Sequence, residues 1–153
     1  MAERRILIPA DKIEFLERLT TSGVGPFKFQ VDALAFAASL AAARDQTLPF
    51  TESAKEPIRQ QVFENQGFGS LLGMLAVHKE QNPSLLSDDE SMEERRAQIF
   101  EDYANAGLQI LKDELRGAPN LSEAILLLLQ KEKELSGQTA EDEVEFDLRS
   151  LLS

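Results

Sequence analysis

The chain holds one histidine, His78, and no cysteine among its 153 residues. The side chains that most often carry nucleophilic, redox or metal chemistry are therefore nearly absent. A histidine-based metal centre needs several ligands and a thiolate zinc site needs cysteines, so a single copy of this sequence offers neither. The Glu-x-x-His pairs of di-iron carboxylate bundles are missing. A serine nucleophile would have to use His78 as its base, and no Gly-x-Ser-x-Gly elbow surrounds any serine. GFGSLLG at 67–73 is glycine-rich in the manner of a phosphate loop, but the Lys-Ser/Thr of a P-loop is lacking. The glycine spacing and preceding strand of a dinucleotide fold are lacking as well. That stretch reads as a helix break with close backbone packing at Gly73. DDESMEE at 88–94 has neither the glycine nor the alternating oxygen ligands of a calcium loop. Carboxylates are plentiful, yet none stands in an apolar run that would raise its pKa for acid–base work. The expectation is a protein that is not an enzyme and holds no metal or cofactor.

The remaining chemistry is that of charge. RRILIP at 4–9 places two arginines ahead of a short alternating apolar run, as in proteins that lay a β-ribbon into DNA. A strand, a helix, a turn and a second helix over 4–44 would follow the ribbon-helix-helix order. Arg4, Arg5, Lys12 and Lys28 are the candidate phosphate contacts, but Glu3, Asp11, Glu14 and Glu17 stand among them. Affinity for nucleic acid comes largely from cations that neutralise phosphates, and this chain carries a formal charge of −11. Residues 1–60 balance 8 basic against 8 acidic side chains, whereas residues 61–153 hold 8 basic and 19 acidic. Bulk electrostatics thus oppose general DNA binding and leave only a local, weak contact in the first third. An acidic mimic of DNA is a third reading of the same charge.

These residues would be positioned by a mainly α, single-domain bundle of about six helices with a short N-terminal strand. Residues 4–8 read as the strand, with Ile6 and Ile8 on one face. Its open backbone edge calls for a partner, either the alternating VEFDL at 144–148 or a second copy of RRILIP. After Pro9, Ile13, Leu16 and Leu19 keep helical spacing, and TTSGVGP breaks that helix. FKFQVDALAFAASLAAAR, rich in alanine, is expected as a central helix with close neighbours. A polar connection at 45–55 follows. Pro57 marks a helix start, and IRQQVFEN and SLLGMLAVHKE form two short helices around GFG. SDDE at 87–90 offers a capping box from Ser87 to Glu90. The longest helix runs from there to Leu115 or Arg116, with Gly117 as its stop. Its polar face would carry Asp102, Asn105, Gln109 and Lys112.

LSEAILLLLQKEKEL makes a last helix. Leu121, Ala124, Ile125 and Leu128 form one stripe, but Leu126, Leu127 and Leu129 leave little of its middle polar. Such a helix must be covered on more than one side, either by its own chain or by another. The helical domain would span 1–137. An acidic tail, 138–153, would follow, with Val144, Phe146 and Leu148 in an acidic frame suited to docking a partner. MAERRILIP has no apolar h-region, and the longest apolar run, ILLLL at 125–129, is far too short to span a bilayer. A cytoplasmic protein without membrane contact is expected.

Several blocks together carry a family likeness: RRILIP, GPFKFQVDALAFAASLAA, EPIRQQVFENQGFGSLLGMLAV, and IFEDYANAGLQILKDELRG followed by EAILLLL. Over residues 4–129 the chain resembles the DNA phosphorothioation-associated (dnd system-associated) protein four family, with the tail outside the likeness. The resemblance implies a bacterial setting beside enzymes that replace a backbone phosphate oxygen with sulfur, and beside the associated restriction machinery used in defence. Taken with the lack of catalytic signatures, that setting leads to the expectation of a non-enzymatic accessory protein acting through protein–protein contacts with components of the system, either as a single chain or as a homo-oligomer. It supplies no functional residues.

Overall fold

The structure, a computed structural model, describes residues 4–135. The chain divides into two compact units, Met1–Arg116 and Gly117–Ser153. The first unit contains five α-helices: α1 (Ile13–Thr20), α2 (Gln30–Ala43), α3 (Gln60–Asn65), α4 (Leu71–Glu80) and α5 (Glu90–Glu114). A 3-10 turn over Ala10–Lys12 leads into α1, and another over Pro83–Leu86 joins α4 to α5.

Two helices make the centre of this unit. On α2, Val31, Leu34 and Leu40 are buried together with Ala33, Ala35, Ala37, Ala38 and Ala41. Small side chains let a neighbouring backbone come close, and at Gly107 of α5 it does. A Cβ added there would lie 1.8 Å from the carbonyl oxygen of Ala37. Six consecutive residues of α5, Tyr103–Leu108, are buried, so this helix is covered all round in its middle. Phe63 of α3 meets Phe100 of α5 edge to face at 5.2 Å, a favoured aromatic geometry.

The N-terminal strand expected at 4–8 is not seen. The described residues contain no strand, and 4–9 runs as extended chain that makes two isolated antiparallel bridges, Ile6 with Ile58 and Pro9 with Ser53. Ile6 and Ile58 exchange both backbone hydrogen bonds, at 2.7 and 2.9 Å. Pro9 and Pro57 have no N–H to give, which stops the ladder from growing. The other edge of the segment is closed by a side chain: the Leu7 N–H donates to a carboxylate oxygen of Glu101 at 2.6 Å. The partner of RRILIP is therefore 53–58 together with Glu101. VEFDL, the partner expected within the chain, lies outside the described residues.

Three local expectations need correction. Helix α3 begins at Gln60, because Pro57 sits in the extended segment beside Ile58. Asp89, and not Ser87, caps α5: its side chain accepts from the Ser91 N–H, while Ser87 Oγ accepts from the Asp89 N–H. Asn105 is buried, with its Nδ2 donating to the Leu48 carbonyl, and the Leu48 N–H donates to the Asp102 carbonyl. The 45–50 connection is thus fastened over part of the polar face of α5.

The second unit contains α6, residues 121–135. Gly117, at φ 76°, supplies the left-handed turn that ends the preceding helix. Asn120 caps α6 by accepting from the Glu123 N–H. Leu121, Ile125 and Leu128 are buried, as their stripe predicts, while Leu126, Leu127 and Leu129 are 60%, 67% and 42% exposed. No helix among the described residues is long and apolar enough to cross a membrane.

Candidate functional site

Position 101 of α5 falls in register with Ala97, Ala104, Leu108 and Leu111, at steps of three and four. That spacing puts a carboxylate in the apolar stripe that faces the core, and Glu101 is 4% exposed. A buried carboxylate must be paired and hydrogen-bonded. Arg4 provides a two-pronged partner, donating through Nη1 and Nη2 to the two Glu101 oxygens at 2.8 and 2.9 Å. Arg4 Nε donates to Glu94 at 2.6 Å. The Gln60 amide donates to the Arg4 carbonyl at 2.5 Å, which ties α3 to the same knot. The hydrogen bonds that Arg4 donates to Glu101, with a further one to Glu94, hold its guanidinium above its ordinary pKa against the opposing effect of burial.

Of the four cations suggested for phosphate contact, two are paired with carboxylates and two are exposed. Arg4 is committed to two carboxylates. Lys12 is 1% exposed, and its Nζ is paired with Asp11 at 2.8 Å. Its hydrogen bond to Asp11 pulls that carboxyl below the usual range. Arg5 is exposed. Lys28 is also exposed, with its ammonium 5.3 Å above the ring of Phe29, a cation–π distance. Val144, Phe146 and Leu148, suggested for partner contact, lie outside the described residues.

Elsewhere the arrangement offers little for chemistry. His78 is exposed near the end of α4. No group of three or more His, Cys, Asp or Glu side chains among the described residues could hold a metal ion. An open cavity of 580 Å³ is lined by Ala10, Ile13, Glu17, Gln30, Lys55 and Glu56, among others. Two carboxylates against one lysine do not make it an anion site. Among the described residues Tyr103 OH and Asn105 Oδ1 are buried and find no hydrogen-bond partner, and both lie in the buried middle of α5.

Sequence reasoning missed Glu101, Glu94 and Gln60. The signal for Glu101 was available: a charged residue in phase with an apolar stripe. Its neighbours Asp102 and Phe100 hid it, since carboxylates are common throughout α5.

A family model described as DNA sulphur modification system-associated protein 4 matches residues 5–151. The chain belongs to this family. The resemblance carried by RRILIP and the later blocks is borne out, and the match extends past residue 129 into the acidic tail, further than those blocks reached. The family is associated with DNA sulphur modification systems, which supports an accessory role. No curated protein and no solved structure matches the chain.

Proposed function

We propose that this member of the family is a non-catalytic accessory protein that acts through contacts with protein components of a DNA sulphur modification and restriction system. The observation that carries this reading is the outer side of α6, where Leu126, Leu127 and Leu129 are all exposed within four residues. Single exposed leucines are ordinary, but clustered ones mark surfaces that another molecule covers. The cations offer the competing function little. Arg4 and Lys12 are held by carboxylates of the same chain, and the formal charge of −11 opposes phosphate.

The test is co-purification of the tagged protein with co-expressed modification and restriction components, in wild type and in a Leu126→Ser, Leu127→Ser, Leu129→Ser variant. Because these side chains are exposed, the variant should fold normally by circular dichroism and lose the partner. A variant that keeps every partner bound would contradict the reading.

A further inference from the structure

A second apolar surface lies in the first unit, on the outward side of α4. Gly73, Met74 and Val77 occupy neighbouring positions around this helix. Leu86, from the 3-10 turn Pro83–Leu86, lies over Gly73, where an added Cβ would come within 2.8 Å of Leu86 Cδ2. Despite that contact Leu86 is 59% exposed, and Met74 is 64% exposed; Val77 is half-buried. The turn is held by Arg96, whose guanidinium donates to the carbonyls of Leu85 and Ser87. The strip is thus built on a fastened turn and a helix.

Its surroundings say what it fits. Ser70, Leu71, Met74, Val77, His78 and Gln81 share the outward side of α4 and bring no carboxylate to it. The one acidic residue of α4, Glu80, is paired with Arg95. At the Leu86 end, by contrast, Asp88, Asp89 and Glu90 follow within four residues, and all are exposed. Asp89 is used as the cap of α5; Asp88 and Glu90 complete an acidic border next in sequence to Leu86, where the neighbouring cation, Arg96, is taken up by the Leu85 and Ser87 carbonyls. A second copy of this chain is a poor occupant, because a two-fold contact would set this acidic border against itself on a chain of charge −11. The complementary occupant is an amphipathic helix with leucine-like anchors flanked by lysine or arginine. Methionine suits such a site because its flexible side chain adapts to different anchors.

We infer that the Met74–Val77–Leu86 strip is a docking site for a basic amphipathic helix of a partner protein, separate from the leucines of α6. This inference rests on the reading that the protein works through protein contacts. It is tested on the full chain with a synthetic amphipathic leucine–lysine helical peptide, with a leucine–glutamate peptide of the same pattern as the counterpart. Only three methionines are present, so labelled methionine methyl groups give a resolved spectrum in which a Met74→Leu variant assigns the Met74 signal. The leucine–lysine peptide should shift the Met74 methyl resonance and the leucine–glutamate peptide should not. Met74→Ser with Leu86→Ser should weaken peptide binding about tenfold or more, the effect of losing a packed anchor. Asp88→Asn with Glu90→Gln leaves the Asp89 cap in place and should reduce both affinity and its salt dependence. An unmoved Met74 signal, equal binding of the two peptides, or peptide binding lost only in the α6 leucine variant would each overturn the inference. Each of those results leaves the co-purification test of the broader reading intact.

Discussion

Glu101 answers two demands at once: it neutralises Arg4 and it takes the Leu7 N–H. Removing it would leave the guanidinium with Glu94 as its carboxylate partner and the Leu7 N–H without its acceptor. Breaking a buried ion pair on one side typically costs about 3–5 kcal/mol, and Glu101→Ala should lose stability of that order in urea unfolding. A loss no larger than that of an exposed pair, about 1 kcal/mol or less, would show that the knot does not fasten the N-terminal segment. The neighbouring Asp102 gives a prediction in pH. Burial, with a smaller contribution from Glu101, pushes its carboxyl above the usual range, so the folded chain takes up that proton at a higher pH than the unfolded chain. Its contribution to stability is present below the unfolded pKa and is lost as pH rises through the folded one. Asp102→Asn should therefore raise the melting temperature at about pH 7 and lose that advantage near about pH 3. Asp11 runs the other way, because its bond to Lys12 lowers it. What it contributes is present above the unfolded pKa and is lost as pH falls through the folded one.

At the scale of elements, the tightest demand is where α2 crosses α5. With Ala37 carbonyl 1.8 Å from a virtual Cβ on Gly107, Gly107→Ala must push the helices apart. Overpacking of this kind costs about 1–3 kcal/mol, occasionally more, and should appear as a lower denaturant midpoint. His78→Ala on exposed α4 surface serves as the control and should stay within about 0.5 kcal/mol of wild type. The helices themselves were legible, since apolar spacing and Gly or Pro punctuation are local signals. The α2 alanines and Gly117 read correctly for the same reason. The strand did not, because whether an alternating run joins a ladder depends on what lies across from it. Here that is 53–58, broken by Pro57, and a carboxylate from a helix far along the chain. Asn105 reads as part of a polar face, and nothing local tells that Leu48 lies over it.

At the scale of the whole chain, charge was readable from composition and its local use was not. The first third reads as balanced, and Arg4 with Arg5 invites a DNA contact. Arg4 fastens the N-terminal segment to α5 through Glu101, and Lys12 is buried and paired with its neighbour Asp11. Dedicated non-specific binders reach about 10⁻⁴–10⁻⁶ M at physiological salt, and the isolated protein should bind duplex DNA more weakly than that. Tight binding at about 150 mM salt, abolished by Arg4→Ala with Arg5→Ala, would favour the ribbon reading. The outer leucines of α6 are exposed, and on the proposed reading a protein partner covers them.

The most direct measurement is a tagged pull-down from the native host, run with and without nuclease. The account predicts that components of the sulphur modification or restriction machinery stay bound after nuclease treatment, and are lost from the Leu126→Ser, Leu127→Ser, Leu129→Ser variant. Components that are released by nuclease, or that stay bound to that variant, would contradict it.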